Sequence, residues 1–433
     1  MIKKNQEREI GLWGLSLNLI NIMIGAGIFI LPAMVVAGLG PAGFLVYLFC
    51  GILIILILLC FAEVGSTLDV DGGVYGYINR TLGNYFGFLA AVLLLTASVS
   101  ADAAIANAIV DIISSLLHYE LGMLTRVFCF FIIFGGFALI NILGAKQGVM
   151  VVKFITFIKL ASLLFFVILA SGKIQIENLQ IESIPSMDEI GQISLILFFI
   201  FIGAEAGLSI SGEVRNPQKT IPMGIIIAVT GVLIFYILIQ TAATGVLGTS
   251  LAEHEQNPLG EVAKFILGPG GLTLMIIGAG VSMLGNLSSV LFSMPRVFYG
   301  AAKDRVIPIG ILSAVHPKYA TPFVSILIYA GLDFILASAG GFEQLVKLST
   351  SLTLLLYFGM VITAIVLRIR KWPRPEGAFR IPGGYMVPVI AALIIIWLLA
   401  HISIEGITTT GIVIAFLTVL YFAVVHKLRK TTK

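Results

Sequence analysis

The sequence predicts an all-α polytopic membrane protein with twelve transmembrane helices. The first observation is composition: 59% of the 433 residues are hydrophobic and 11% are charged, whereas soluble domains average about 45–50% and about 25%. The 26 basic and 22 acidic side chains are too few to cover a soluble globule or to keep the chain disordered. The second observation is that apolar runs of about 20 residues, the length of a membrane-spanning helix, recur along the chain.

Polar or Gly- and Pro-containing connections separate these apolar runs. In chain order the predicted spans are 12–37, 41–66, 84–113, 122–143, 148–171, 190–211, 221–247, 269–300, 322–340, 344–368, 385–402 and 406–426. The first run follows a basic N-terminal segment, as in a signal peptide, but it is too long for one and carries glycines in its middle. It is therefore counted as a span.

The lysines and arginines set the expected orientation. Most of them fall in alternate connections on the side that also holds both termini, among them Arg215, Lys219, Arg296 and Lys303. Basic residues accumulate on the cytoplasmic side of membrane proteins. We therefore predict a multi-pass protein of the cytoplasmic (inner) membrane, in contact with membrane lipid, with both termini in the cytoplasm.

Several classes of function are disfavoured. The net charge of +4 arises from residues in short connections, so nucleic acid is not a predicted partner. The connections leave no room for a soluble catalytic or nucleotide-binding domain, and the five histidines show no metal-ligand spacing. No nucleophile is paired with a base. We predict no cofactor, no metal and no enzymatic activity.

Two spans contain residues that weaken a helix at mid-membrane depth. Gly25 and Gly27 lie two apart in span 1, and Gly203 is followed closely by Glu205 in span 6. An unwound segment inside the bilayer is tolerated only where it lines a cavity or is buried in protein. Paired interruptions in corresponding spans indicate a central binding site.

The positions of the interruptions predict an inverted repeat. Spans 1 and 6 are five helices apart, and because five is odd, a second set of five helices enters the membrane with opposite polarity. The prediction is a single transmembrane domain over residues 1–433. It comprises repeats at 12–171 and 190–368, followed by two accessory spans at 385–427.

The expected chemistry of the site follows from the backbone. Free N–H groups of Ala26, Gly27 and Ile28 would begin a new half-helix, whose positive end suits a carboxylate. Carbonyls between Phe199 and Ile202, at the end of the first half of span 6, would suit an ammonium group. A zwitterionic amino acid fits both.

Five further motifs resemble the amino acid-polyamine-organocation superfamily, in the order expected for it. They are AEVG at 62–65, GGVYGY at 72–77, GEVRNPQKTIP at 212–222, PRVFY at 295–299 and KDRVIP at 303–308. The resemblance implies the leucine-transporter type of five-plus-five repeat with broken helices 1 and 6. It also implies secondary transport of amino acids or related amines.

The resemblance further implies a substrate site. The carboxylate would meet Ala26 and Gly27, the ammonium would meet the carbonyls of Met23, Phe199 and Ile202, and Phe199 would close over the substrate. Ala26 stands where some members with cationic substrates carry Ser, which removes one side-chain contact. The full predicted substrate-binding set is Met23, Gly25, Ala26, Gly27, Ile28, Asp102, Phe199, Phe201, Ile202, Gly203 and Glu205.

Lys159 lies about halfway along span 5, where a charge costs about 2.5–3.5 kcal/mol on insertion scales. It is too deep for its amine to reach the interface. Because burial disfavours the charged form, such a lysine can bind and release a proton. The resemblance implies that this amine occupies the place of sodium in sodium-coupled relatives, near the carbonyls of Asn21 and Ile24 and the polar groups of Ser282 and Asn286.

Four acids lie in the predicted spans: Glu63, Asp102, Glu205 and Asp333. Asp102 either accepts a cationic substrate side chain or is a paired or protonated structural acid. Glu205 is interpreted as a gate or proton relay, with helix capping as the alternative, and Glu63 as a structural partner of inner-loop cations. Asp333 has no interpretation from sequence.

The preferred hypothesis is a transporter that imports amino acids with a proton by alternating access. The alternative is a proton-independent exchanger of cationic amino acids or polyamines, and a receptor or channel-like protein is a more distant one. The sequence leaves open the identity of the amino acid or amine and the oligomeric state.

Overall fold

The computed structural model describes residues 11–68, 70, 72–117, 119–144, 149–181, 183–205, 214–307 and 309–425. These ranges hold helices and no β-strand. The helices are α1 Leu12–Met23, α2 Leu31–Leu39, α3 Phe44–Thr67, α4 Gly73–Leu82, α5 Asn84–Leu117, α6 Met123–Ile142, α7 Val149–Ser171, α8 Met187–Leu197, α9 Pro217–Leu247, α10 Pro258–Leu267, α11 Pro269–Lys303, α12 Phe323–Ala339, α13 Phe342–Ile369, α14 Met386–Leu399 and α15 Ile404–Leu420. The predicted cytoplasmic termini, at 1–10 and 426–433, and motif positions 212, 213 and 308 lie outside the described residues.

Seven helical stretches in the described part are long and apolar enough to cross a membrane. They are Leu31–Thr67, Asn84–Leu117, Met123–Ile142, Gln218–Glu253, Pro269–Lys303, Phe342–Ile369 and Gly406–Ala423. Four shorter apolar helices accompany them: Leu12–Met23, Phe157–Ser171, Phe323–Ala339 and Met386–Leu399. The protein is therefore an all-helical, polytopic membrane protein.

Predicted spans 1 and 6 are not continuous helices in the structure. α1 ends at Met23 and the chain becomes α-helical again only at Leu31. α8 ends at Leu197 and passes into a short 3-10 segment, Phe198–Phe201. α8 begins with a capping box, in which Ser186 and Glu189 each satisfy the other's backbone N–H. The other predicted spans correspond to single α-helices within a few residues.

Two helices lie in segments that the sequence interpretation treated as connections, α4 and α10. α10 begins where the Asn257 side chain accepts a hydrogen bond from the N–H of Gly260 at 3.2 Å, and α4 begins after Gly72, whose φ is +95°. Both are ten residues long, too short to cross a bilayer. A search for 20-residue apolar runs therefore passes over them.

The core forms where the long helices pack on one another. α5 packs along α13, α12 and α11, while α9 packs on α1 and α3. One buried ion-pair cluster fastens the end of α3 to the end of α13: Glu63 accepts from Arg368 and, at 2.7 Å, from Arg374. Glu63 also accepts from the N–H of Ile381 at 3.0 Å. The prediction that Glu63 is a structural partner of cations is confirmed. The inner position of these cations stays a prediction.

Candidate functional site

The first interruption lies between α1 and α2. The N–H of Ile24 still bonds the carbonyl of Ile20 at 3.0 Å, but Ile24 has ψ of 87° and leaves the helix. The chain turns again at Gly27–Phe29, where Phe29 and Ile30 donate to the carbonyls of Ala26 and Gly27, both at 3.1 Å. The N–H groups of Ala26, Gly27 and Ile28 precede these first bonds, as in the unsatisfied first turn of any helix.

The second interruption follows α8. After the 3-10 segment, Ile202 is extended (φ −67°, ψ 143°) and Gly203 has φ of +99°. A left-handed φ of this size favours glycine, because other residues place Cβ against the backbone. The carbonyl of Ile202 thereby points out of the helical hydrogen-bond pattern. The structure describes the chain as far as residue 205 and again from Val214.

The two interruptions touch. A Cβ on Gly27 would lie 2.9 Å from Ile200 Cγ2 and 3.3 Å from Phe199 Cδ1. Tyr236 on α9 links them a second time, since its hydroxyl donates to the carbonyl of Met23 at 2.8 Å and to that of Ile200 at 3.4 Å. Sequence reasoning missed Tyr236, because a tyrosine in an apolar span shows no signal of what it contacts.

A cavity of about 400 Å³ lies at this junction, within the size range of small-molecule sites. Most predicted site residues line it: Asn21, Met23, Gly25, Ala26, Gly27, Asp102, Lys159, Phe199, Ile202, Gly203, Glu205, Ser282 and Asn286. α11 adds serines that were not predicted, Ser288, Ser289 and Ser293, and α13 adds Ser349 and Thr353. The cavity therefore combines an apolar lining with a hydroxyl-rich wall.

Three predicted residues do not line the cavity. Phe201 is fully buried on the opposite side of its segment, with its ring 5.8 Å from that of Tyr236. The side chain of Ile28 is also fully buried in the core. Ile24 takes part through its carbonyl alone. A 3-10 segment turns successive side chains by about 120°, so Phe199 and Phe201 cannot both face the same cavity.

The amine of Lys159 is held by the first interruption. Nζ donates to the carbonyls of Asn21 at 2.8 Å and Ile24 at 2.7 Å, and only 8% of the residue is exposed. An ammonium group has three donors, so one remains for a further partner. Ser282 also lines the cavity, and its hydroxyl has no hydrogen-bond partner among the described residues. Asn286 lies against Gly25.

Two of the three carbonyls predicted for a substrate ammonium already accept one hydrogen bond. Met23 accepts from Tyr236, and Phe199 accepts from the N–H of Ile202 at 3.2 Å. A carbonyl oxygen has two lone pairs, so each can accept a second bond. Among the described residues, no backbone N–H donates to the Ile202 carbonyl outside the helices.

Glu205 connects the second interruption to α13. Its Oε2 accepts from the Tyr357 hydroxyl and, at 3.0 Å, from the N–H of Gly203. Asp102 is also engaged, since its Oδ2 accepts from the Tyr329 hydroxyl on α12 at 2.9 Å. Tyr329 and Tyr357 were not predicted. Asp102 thus has the hydrogen-bonded structural contact that the sequence left as one of two alternatives.

A ligand-sized cavity at two facing interruptions, inside a polytopic helical protein, is the arrangement of a membrane transport protein. The comparison with known families agrees. The profile of the family described as amino acid permease matches residues 10–425. The chain belongs to this family, within the amino acid-polyamine-organocation superfamily, which is a family of permeases and not of enzymes.

Characterised relatives cover nearly the whole chain. A methylthioribose transporter of Bacillus subtilis (strain 168) is 27% identical over 97% of this chain and 94% of that protein. A branched-chain amino acid permease of the same organism is 26% identical over 93% and 89%. Its serine/threonine exchanger is 26% identical over 89% of each chain. The relatives thus include both permeases and an exchanger.

Proposed function

We propose that this protein is a secondary active transporter that imports amino acids across the cytoplasmic membrane together with a proton, by alternating access. The observation that carries the proposal is the cavity at the two interruptions, with the N–H groups of Ala26 to Ile28 at its side and the Lys159 amine bound to the carbonyls of Asn21 and Ile24.

The proposed fold is twelve spans arranged as two inverted repeats of five, at 12–171 and 190–368, with accessory spans at 385–427. The interruptions at Ile24–Ala26 and Ile202–Gly203 occur five spans apart, as such a repeat requires. Both termini would lie in the cytoplasm, because the connections on that side hold most of the basic residues.

The substrate would lie across the junction of the interruptions. Its carboxylate would accept from the N–H groups of Ala26 and Gly27, at the positive end of the helix that leads into α2. Its ammonium would donate to the Ile202 carbonyl. Phe199, which is 8% exposed and lines the cavity, would cover the aliphatic part, and the serines of α11 would meet the side chain.

Lys159 would couple proton binding to the position of α1. The charged amine draws the carbonyls of Asn21 and Ile24 toward α7 by charge-assisted hydrogen bonds, which are stronger than neutral ones. Loss of the proton would weaken both bonds and release the end of α1. If the end of α1 has two arrangements and one proton shifts the equilibrium between them, proton binding is linked to opening of the site.

The structure would represent an inward-facing state. The lining of the cavity follows α11 from Ser282 to Met294, toward the helix end that carries Arg296 and Lys303. At the other end, Phe199 packs edge to face on Phe342, with ring centroids 6.5 Å apart. The basic end is the predicted cytoplasmic end.

Uptake into proteoliposomes tests the proposal. With an alkaline interior, the purified protein should accumulate a labelled amino acid above its outside concentration. Screening unlabelled amino acids and methylthioribose as competitors identifies the substrate. Accumulation that collapses when a protonophore is added supports proton coupling. Absence of any saturable uptake across the panel would contradict the proposal.

Exchange is the second candidate, favoured by the similarity to a serine/threonine exchanger. An exchanger of cationic amino acids or polyamines would use the same cavity, with Asp102 on its wall. Uptake driven by a pH gradient into vesicles without internal substrate separates the two mechanisms, since an exchanger needs substrate inside the vesicles and a proton symporter does not.

A further inference from the structure

One face of α9 contacts the backbone on both sides of the first interruption. Tyr236, Gln240 and Thr244 lie at spacings of four residues, which place their side chains on one helix face. Tyr236 donates to the carbonyl of Met23, at the end of α1. One turn further along α9, the Gln240 amide donates to the carbonyl of Pro32, in the first turn of α2, at 3.3 Å. The two side chains therefore hold both ends of the interrupted span against one helix.

The Gln240 side chain uses both of its N–H groups and its oxygen. Its nitrogen donates to the Pro32 carbonyl and, at 3.1 Å, to the Thr244 hydroxyl oxygen. Its oxygen accepts from the Tyr47 hydroxyl of α3 at 2.9 Å. Because a carbonyl oxygen can only accept, the nitrogen of the amide must face Pro32. Tyr47 binds the other end of the amide and thereby holds it in this orientation.

This hydrogen-bond network is buried. Tyr47 is fully buried, and Gln240 and Thr244 are each 3% exposed. Hydrogen bonds are stronger in such surroundings than in water, and a buried group that loses its partner keeps the cost of its desolvation. The contact between α9 and the first turn of α2 is therefore costly to break.

The Pro32 contact reaches the proposed carboxylate site through a continuous helical segment. Ala26 and Ile30 have helical φ and ψ. The N–H groups of Phe29 and Ile30 donate to the carbonyls of Ala26 and Gly27. The backbone is therefore helical from Ala26 into α2, and a rigid helical segment carries a displacement from one turn to the next.

We propose that Gln240 is a positioning residue for the substrate carboxylate. By holding Pro32, it fixes where the N–H groups of Ala26 and Gly27 lie, and Tyr47 orients its amide for this contact. Gln240 does not line the cavity, so it acts through α2 and not by touching the substrate. This role rests on the proposed function, because it requires a substrate whose carboxylate binds these N–H groups.

Matched pairs of ligands test this role. The probes are L-leucine with isoamylamine, L-serine with ethanolamine, and L-threonine with 1-amino-2-propanol, in which each amine is the amino acid without its carboxyl group. Isothermal titration calorimetry of the purified protein gives the Kd of each ligand, and the wild type should bind an amino acid more tightly than its amine. In Gln240→Leu the Kd of the amino acid should rise about tenfold. The Kd of the amine should change little, because it makes no bond to Ala26 or Gly27.

Tyr47→Phe removes only the hydroxyl that orients the amide. It should change the two Kd values in the same direction by a smaller factor, and it carries the same test should Gln240→Leu fail to fold. Ser325→Ala is the matched control. Ser325 is fully buried on α12 and donates to the Leu312 carbonyl at 2.7 Å. Loss of this bond, away from the interruptions, should leave the ratio of the two Kd values as in the wild type.

Two outcomes would overturn the role of Gln240. One is an equal loss of affinity for the amino acid and its amine in Gln240→Leu. The other is an unchanged ratio of the two Kd values in both Gln240→Leu and Tyr47→Phe. A wild type that binds the amines as tightly as the amino acids would contradict the proposed carboxylate site itself, and the role of Gln240 with it.

Discussion

At the residue scale, Lys159 carries the most specific chemistry. Its amine replaces the water it loses on burial by two carbonyl oxygens that an intact α1 would have used in its own hydrogen bonds. A buried charge without such partners would be costly. Lys159 and the first interruption therefore depend on each other. The amine of Lys159 supplies the hydrogen-bond donors, and the carbonyls of Asn21 and Ile24 supply the acceptors.

Replacement of Lys159 by methionine removes the amine and keeps an unbranched apolar side chain. Lys159→Met should insert and fold but lose the rise of uptake with outside acidity, because no proton is bound or released at the end of α1. Initial uptake rates measured over a series of outside pH values check this. Lys173→Met, at an exposed lysine beyond α7, should keep the wild-type profile. An unchanged pH dependence in Lys159→Met would remove the coupling role.

The contacts of a residue whose charge is unusual for its position could be predicted from the sequence. A lysine in mid-span requires partners, and those expected at Asn21 and Ile24 are the atoms it contacts. Tyr236, Tyr329 and Tyr357 could not be assigned, because tyrosine is ordinary in an apolar helix and the partner at the shorter hydrogen-bond distance lies more than 100 positions away in each case. Phe201 does not line the cavity, because residues two apart point to different faces of a 3-10 segment and of an α-helix alike.

At the element scale, the two interruptions are stabilised by each other. The first needs a glycine because the second segment occupies the space of a side chain at Gly27, and the second needs a glycine for the φ of Gly203. The sequence showed both glycines but not the contact between them. Helix lengths followed from apolar runs, while α4 and α10 were missed because amphipathic ten-residue helices lack such runs.

Substitution of Gly27 by alanine adds one methyl group and tests the packing between the two interruptions. Gly27→Ala should weaken substrate binding and lower thermal stability, since its Cβ would meet Ile200 at 2.9 Å. Gly280→Ala is the matched control, because a Cβ there meets nothing within 4 Å and alanine favours a helix by about 1 kcal/mol over glycine. Thermal unfolding with and without substrate measures both effects. Equal stability and equal substrate-induced shifts in the two variants would contradict the contact.

At the scale of the whole molecule, the cavity lies beside long helices that pack along one another. α1 and α8 end at the cavity, whereas α5 and α13 pack along each other and the Glu63 cluster fastens α3 to α13. Composition and span spacing predicted the membrane class. The contact of Phe199 with Phe342 beside the cavity could not be predicted, because the two rings lie in segments that are distant in sequence.

The most direct test of the account is a structure of the protein with its transported amino acid bound. The substrate carboxylate should lie within hydrogen-bond distance of the N–H groups of Ala26 and Gly27, and its ammonium should lie at the Ile202 carbonyl, inside the cavity that Phe199 lines. A substrate bound elsewhere, or in this cavity without contact to either interruption, would contradict it.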